Sequence, residues 1–322
     1  MSDSCRAVWD QDGNSLPMTG LFPLYVVVLN WNLPQDTVYC IESVQAARLP
    51  GVEILLVDNG STDNSLEQFQ ARFGADVAVI ETGKNLGFAG GVNVGIAHAL
   101  AAGAGSVLLL NNDTVVDREM IRCLAAAASS ARVGIVGPVI YYFDAPERVW
   151  RFADREYRWL PTPLRVPDRV LRSAGSRPFR VDYVTGCGML VRRPVLEAIG
   201  LFDTRYFFYF EDADFCRRAR QAGFDIYCAP QAQMWHKVSA SARRQRPGAR
   251  YTEAWGRAQF YRRHPHGPFP ICALSYLLFK SVAITLRDVL AGDRRLIPPQ
   301  WMGFFDGYFD RPSRATRFMG SG

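Results

Sequence analysis

Three separate apolar runs in this chain stop in the same way, on asparagine and aspartate. Leu24-Tyr-Val-Val-Val-Leu leads into Asn30-Trp31-Asn32, and Val52-Glu-Ile-Leu-Leu-Val leads into Asp58-Asn59-Gly60-Ser61-Thr62-Asp63. Val107-Leu-Leu-Leu leads into Asn111-Asn112-Asp113. A short apolar run bounded by polar residues suits a strand buried on both faces of a parallel sheet. Between the runs lie segments of helical spacing, with Val38, Ile41, Val44 and Ala47 on one face, then Leu66, Phe69 and Phe73. A further short strand is expected over residues 77–80. Strands alternating with helices predict a doubly wound α/β domain. Ligands of such sheets bind beyond the C-terminal strand ends, so the three polar clusters converge on one edge.

A carboxylate at Asp113 can hold a divalent cation, and the amides of Asn111 and Asn112 can bind sugar hydroxyls. Asp113 can equally cap a helix expected from near Asp117. The glycine-rich stretch from Leu86 to Gly91 opens another helix, running towards Gly103. Its glycines either let backbone approach a flat ligand or serve helix–sheet packing. Their spacing is not Gly-x-Gly-x-x-Gly, and no Gly-Lys-Ser/Thr loop exists. The convergence points to a nucleotide without a dinucleotide fingerprint.

Strand character resumes over 133–142. Residues 144–180, rich in Arg, Pro and Trp, read as a functional excursion or small subdomain. A strand over 183–191 is interrupted by Gly186 and Gly188, and a short helix runs from Pro194 to Gly200. The aromatic run from Tyr206 to Phe210 then meets Glu211-Asp212-Ala213-Asp214. Aromatic side chains exclude water beside three carboxylates, and crowded carboxylates in a dry site raise one another's pKa, which suits a general base. The same residues favour a helix N-terminus, where Asp214 can pair with Arg217 or Arg218. A last strand is expected over 224–229, and Trp235-His236 follows; a lone histidine is ordinarily a packed or surface residue.

Taken in order, these pieces resemble the family 2 glycosyltransferases, inverting enzymes of the GT-A fold, and above all their bacterial rhamnosyltransferase-like branch. The resemblance rests on Val57-Asp-Asn-Gly-Ser-Thr-Asp63, Asn85-Leu-Gly-Phe-Ala-Gly-Gly-Val-Asn93 and Leu110-Asn-Asn-Asp113. It continues through Thr185-Gly186, Tyr209-Phe-Glu-Asp-Ala-Asp-Phe215 and Arg218 to His236, covering roughly residues 22–240. It implies a Rossmann-like, mostly parallel central sheet flanked by helices, with a nucleotide-sugar half over about 21–140 and an acceptor half over about 141–240.

The resemblance also implies roles. Asp58 would bind the nucleobase, with the residues around Asn30 and Asn85 completing that pocket. Gly87, Gly90, Asn93, Asn112 and Gly186 would belong to the nucleotide-sugar site. Asn111 stands where the family's Asp-x-Asp has its first carboxylate, so it adds a hydrogen bond and no charge. Asp113 and His236 would be the protein ligands of a Mg²⁺ or Mn²⁺ ion completed by the donor diphosphate. Asp212 would be the catalytic base, with Glu211 beside it. The donor implied is dTDP-rhamnose or a similar nucleotide sugar, and the acceptor a growing, lipid-linked cell-surface glycan.

Charge is distributed unevenly. From Lys237 onward there are 15 Lys+Arg against 5 Asp+Glu, although the whole chain carries only +6. The expected organisation is a loose arm over 1–20, the catalytic domain over 21–240 and a basic, helical C-terminal extension over 241–322. The basic excess beside apolar and aromatic residues suits either an anionic membrane surface or a helical cap packed on the domain. No nucleic-acid module accompanies it, so nucleic acid is not an expected partner. The seven scattered cysteines, without a Cys-x-x-Cys, speak against a disulfide framework and for a reducing cytosol. With no signal peptide or transmembrane run visible, the expected location is cytoplasmic, peripheral at the inner face of the plasma membrane. Two other readings are a non-catalytic nucleotide-sugar binding protein and a Rossmann-type dehydrogenase, the latter lacking its glycine fingerprint.

Overall fold

In the computed structural model, which describes residues 20–156, 163–238, 246–264 and 270–315, the apolar runs form strands where expected. They are β1 (Leu24–Asn30), β2 (Val52–Asp58), β3 (Ala78–Glu81) and β4 (Ser106–Asn111). All pair in parallel, in the order β4-β1-β2-β3. Val26 and Val28 face one core and Val27 the other, as Leu108 and Leu110 do against Val107 and Leu109. Burial on both faces is why these strands show no polar alternation. Register sets Asn30 opposite Asp58 and Leu29 opposite Asn111, so the polar ends finish level. The expected N-terminal arm lies outside the described residues apart from Gly20.

Helices α1 (Pro34–Gln45) and α2 (Ser65–Phe73) cover one face of this sheet through Val38, Ile41, Val44, Phe69 and Phe73. Helix α3 (Gly87–Ala101) covers the other through Phe88, Val92 and Ile96. The chain continues with β5 (Thr114–Val116), α4 (Met120–Ala127), β6 (Val133–Tyr142) and β7 (Ala145–Arg151). A small excursion follows, with β8 (Asp154–Arg155), β9 (Leu164–Arg165) and α5 (Asp168–Ala174). Then come β10 (Phe179–Val181), β11 (Gly188–Arg192), α6 (Arg193–Ile199), α7 (Glu211–Gln221) and β12 (Asp225–His236). Strand β11 lies antiparallel between β4 and β6 and joins the two halves of the sheet. The full order is β10-β12-β6-β11-β4-β1-β2-β3, with β5 on β12 and β7 on β6. Strands β1–β4, β6 and β12 run the same way, which gives the mostly parallel, helix-flanked sheet of the GT-A fold.

Two elements differ from their sequence reading. The last strand, expected over 224–229, runs on to His236. Its ladder with β6 slips between Ala229 and Gln233 and then resumes, ending with His236 opposite Tyr142. Pro230 lacks the N–H a ladder needs, and that interruption hid the continuation. Conversely, the strand expected over 183–191 is regular only from Gly188, because Gly186 before it turns aside to bond Asp212 at the start of α7.

The extension is helical as expected, with α8 (Arg246–Arg263), α9 (Pro270–Leu290), a 3₁₀ turn (Arg294–Leu296) and α10 (Ile297–Tyr308). Tyr251 of α8 donates its hydroxyl to the Asp306 carboxylate of α10 at 3.0 Å. Among the described residues no helix is long and apolar enough to cross a membrane. Cys40, Cys187, Cys216 and Cys228 are free and buried, whereas Cys123 is disulfide-bonded, so the thiols are not free throughout.

Candidate active site

The first cluster forms where β1 and β2 end. Asn30, fully buried, donates from Nδ2 to Oδ1 of Asp58 at 2.8 Å and to Ser61 Oγ at 2.9 Å. Ser61 in turn donates its backbone N–H to Oδ2 of Asp58 at 3.0 Å. Thr37 and Asn112 both close on Asn30 Oδ1, at 2.7 and 3.3 Å. Buried polar groups are held in place by such hydrogen bonds. Asp58 is therefore fixed in position at the strand ends.

The second cluster shapes the loop into α3. Asn59 Nδ2 donates to Asn85 Oδ1 at 3.2 Å and to the Gly87 carbonyl at 3.1 Å, while Asn59 Oδ1 accepts from Leu86 N at 3.0 Å. Gly87 has φ +73°, and a Cβ there would lie 2.3 Å from the Phe207 carbonyl, so only glycine fits. Phe88 N then donates to that same carbonyl at 2.8 Å, tying the loop to the aromatic run. Gly90 packs on Leu86, and Asn93 bridges to Phe202 N and O at 3.0 and 2.8 Å. Asn93 thereby ties α3 to the second half of the chain, and its amide does not join the polar cluster at Asp58.

The third cluster lies beyond β4. Asp113 Oδ1 is 3.0 Å from His236 Nε2, and both side chains are largely buried. The expected helix is organised by Asp117, whose Oδ1 accepts from Glu119 N at 2.8 Å, so Asp113 is not its cap. Asp113 is separated from that helix by β5, which pairs Thr114 with His236. Burial alone would push the His236 imidazolium down, but the neighbouring Cys187 sulfur and the Asp113 carboxylate raise it to about 10. Trp150 packs edge-on against the ring, centroids 4.6 Å apart, and Nδ1 is buried without a partner. Asn112 turns back to Thr37 at 2.9 Å, whereas the half-buried amide of Asn111 makes no hydrogen bond among the described residues.

The fourth cluster begins α7. Asp212 Oδ2 accepts from the Tyr183 hydroxyl at 2.7 Å and from Gly186 N at 3.0 Å, and Oδ1 accepts from Ala213 N at 2.8 Å. Tyr209 and Phe210 just before it both sit at φ 73°, a conformation costly for side chains of this size. Glu211 is buried, with Oε2 unpartnered, and burial beside Asp212 holds its carboxyl well above the usual range. Asp214 faces away: Arg218 Nε and His264 Nε2 meet it at 2.7 and 2.8 Å. The pairing of Asp214 is thus with Arg218, not Arg217, which pairs with Glu156. Arg151 stacks over the Tyr183 ring at 5.3 Å and bonds Asp154.

Clusters three and four meet across the run-in to β11. Gly186 N binds Asp212, while the next residue, Cys187, accepts Asn111 N on its carbonyl at 3.1 Å and sets its thiol beside His236. Tyr183, Thr37 and Trp150 are the residues that sequence reasoning missed. Each lies outside the polar strand ends, and only the topology brings it in.

The family model described as "Glycosyltransferase like family 2" matches residues 22–257, and the chain belongs to that family. It is 29% identical over 261 residues to the N-acetylglucosaminyl-diphospho-decaprenol L-rhamnosyltransferase of Mycobacterium tuberculosis, covering 70% of this chain and 79% of the relative. It is 30% identical over 222 residues to the low-salt glycan biosynthesis hexosyltransferase Agl10 of Haloferax volcanii, spanning 65% of each chain. Among solved structures, a mannosyltransferase from Pyrobaculum calidifontis in complex with GDP-Man and Mn²⁺ superposes with a TM-score of 0.57 at 17% identity. That match covers 91% of this chain and 89% of the other, and at this identity it speaks for the fold.

Proposed function

We propose that the chain is an inverting glycosyltransferase that moves a sugar, L-rhamnose from dTDP-rhamnose, onto a hydroxyl of a growing lipid-linked glycan at the inner face of the plasma membrane. The observation that carries the reading is the approach of Asp212 and the Asp113–His236 pair to consecutive residues, Gly186 and Cys187. The rhamnosyltransferase names of relatives from Mycobacterium tuberculosis and Shigella flexneri support the donor.

In this mechanism Asp212 accepts the proton of the acceptor hydroxyl, whose oxygen attacks the anomeric carbon as the bond to the nucleoside diphosphate breaks. Tyr183 and Gly186 fix one carboxylate oxygen, and Oδ1, which accepts only the Ala213 N–H among the described residues, is the one assigned to the acceptor proton. Burial beside Asp212 favours the protonated form of Glu211, which lessens competition from a second negative charge. Asp58, Asn30 and Asn85 hold the base, and the amides of Asn111 and Asn112 hold the ribose and sugar hydroxyls. One displacement inverts the anomeric configuration.

A divalent cation would be held by Asp113 and His236 once the imidazolium gives up its proton. The pair offers one carboxylate oxygen and one imidazole nitrogen 3.0 Å apart, a donor set suited to Mn²⁺ and accessible to Mg²⁺. Among the described residues no cluster of three or more such ligands exists, so the donor diphosphate would supply the rest. Bound there, the ion would neutralise charge on the departing diphosphate.

Purified protein screened against a panel of nucleotide sugars, read by thermal shift and released nucleotide, tests this reading. Stabilisation and acceptor-dependent release with dTDP-rhamnose are expected. Stabilisation without release under any acceptor would favour a non-catalytic binding protein, and no response to any nucleotide sugar would refute the assignment.

A further inference from the structure

Helix α9 buries a single stripe, Ala273, Leu277, Ser281, Ile284 and Asp288, against the body of the protein. A soluble helix would carry polar residues on the opposite side. Here that side carries Leu278, Phe279, Val282 and Leu286, then Val289 and Leu290. Phe279 is 71% exposed, Leu286 58% and Leu290 88%. Helix α10 continues the pattern with Met302, Phe305 and Phe309 exposed at helical spacing. Trp301 joins the two rows: its Nε1 donates to Thr285 Oγ1 at 3.0 Å, and its ring packs on Phe305 with centroids 5.9 Å apart. Of the thirteen exposed large hydrophobic residues among those described, eight lie on these two helices and a ninth, Phe309, directly follows α10.

The charges around this face are mainly basic, and its acidic neighbours Asp293 and the exposed Asp310 are paired with Arg295 and Arg262. Asp288 and Asp306, on the same helices, are each only 3% exposed and lie beneath arginines. Lys280, Arg287, Arg294 and Arg295 are exposed, and Lys280 and Arg294 make no ion pair among the described residues. Acidic groups buried or paired, a basic excess outward and an apolar face between them match an anionic lipid leaflet.

We infer that α9 and α10 form a membrane-docking face that inserts its apolar rows into one leaflet of an anionic bilayer, with the basic rim at the headgroups. The sequence alone offered electrostatic attachment or packing on the domain. The structure shows one stripe of α9 packed and the opposite face free, so both hold together, and insertion adds a component that salt does not screen. The purpose of the face rests on the lipid-linked acceptor reading above. The surface itself does not, because binding to lipid needs no catalysis.

The test is flotation of the full chain with vesicles of phosphatidylcholine alone or mixed with phosphatidylglycerol, at low and high salt. Unaltered protein floats with the mixed vesicles; high salt lowers the bound fraction without abolishing it. Phe279→Ser with Leu286→Ser removes the salt-resistant part, by roughly tenfold or more in partitioning. Lys280→Glu with Arg294→Glu removes the preference for phosphatidylglycerol instead. Quenching of tryptophan emission by brominated lipid chains reports insertion in the unaltered chain, independently of any variant's folding. No flotation with either vesicle would overturn the inference. So would a dimer by light scattering that the serine variant converts to monomer, which would assign the face to a second copy.

Discussion

The Tyr183 hydroxyl donates to Oδ2 of Asp212 across 2.7 Å, between a residue at an irregular strand entry and one in the first turn of a helix. Burial and the Asp212 carboxylate hold the Tyr183 phenol well above its ordinary range, so it stays a donor throughout the working pH. Hydrogen bonds to charged groups contribute about 1.5–3 kcal/mol. Tyr183→Phe is therefore expected to lower kcat roughly tenfold or more with little change in KM for the donor, measured by steady-state transfer. A rise in donor KM at constant kcat would show that Tyr183 serves binding and not the base.

Glu211 gives a stability prediction with a defined sign. Its folded-state pKa is raised above the unfolded value, so the folded state holds the proton more tightly. The contribution to stability is present below the ordinary carboxyl range and is lost as pH rises towards the raised value, at about 1.4 kcal/mol per unit of elevation. Glu211→Gln removes this loss. Urea unfolding at pH 5 and pH 8 should show the variant gaining on the wild type at the higher pH. A difference that does not change with pH would place the Glu211 proton elsewhere.

The metal pair predicts a chelator effect. Asp113→Ala and His236→Ala should each weaken donor binding in the presence of Mn²⁺, and excess chelator should bring the wild type down to the level of the variants. Calorimetric titration of donor with and without chelator reads this directly. Undiminished donor binding and activity in chelator would make Asp113 and His236 a hydrogen-bonded pair acting on the donor without a cation.

Helix α8 packs on the turn that precedes Asp212. A Cβ on Gly256 would lie 2.8 Å from the Tyr209 carbonyl and 3.1 Å from the Phe210 ring, at the turn where both residues sit at φ 73°. Gly256→Val should push that turn and move Asp212, costing activity more than fold. Circular dichroism near wild type with kcat reduced at least about tenfold is the expected pair of results. Unchanged kcat would show that the extension does not position the base.

Much of this site was legible because a two-sided parallel sheet leaves a plain signature: apolar runs that stop abruptly on Asn30, Asp58 and Asn111–Asp113. Register then did the rest, since Asn30 opposite Asp58 follows once the strands pair. His236 could be noticed but not placed, because Pro230 interrupts β12 and the sequence gives no sign that the ladder resumes at Gln233. Tyr183 was invisible for a different reason. Its partner is 29 positions away on another element, and nothing local marks a tyrosine as a donor. Asn93 stood in a motif that suggests ligand contact, yet its amide binds the Phe202 backbone; spacing alone does not separate the two uses. The apolar outer face of α9 was equally hidden until packing showed which stripe is buried.

The most direct measurement is transfer from dTDP-rhamnose to a lipid-linked glycan acceptor, with the product linkage read by NMR, for the wild type and Asp212→Asn. The account predicts a rhamnosylated product of inverted anomeric configuration, and a variant that still binds donor but transfers about 10²–10⁴-fold more slowly. Retained configuration, or near wild-type transfer by Asp212→Asn, would contradict a single displacement driven by that base.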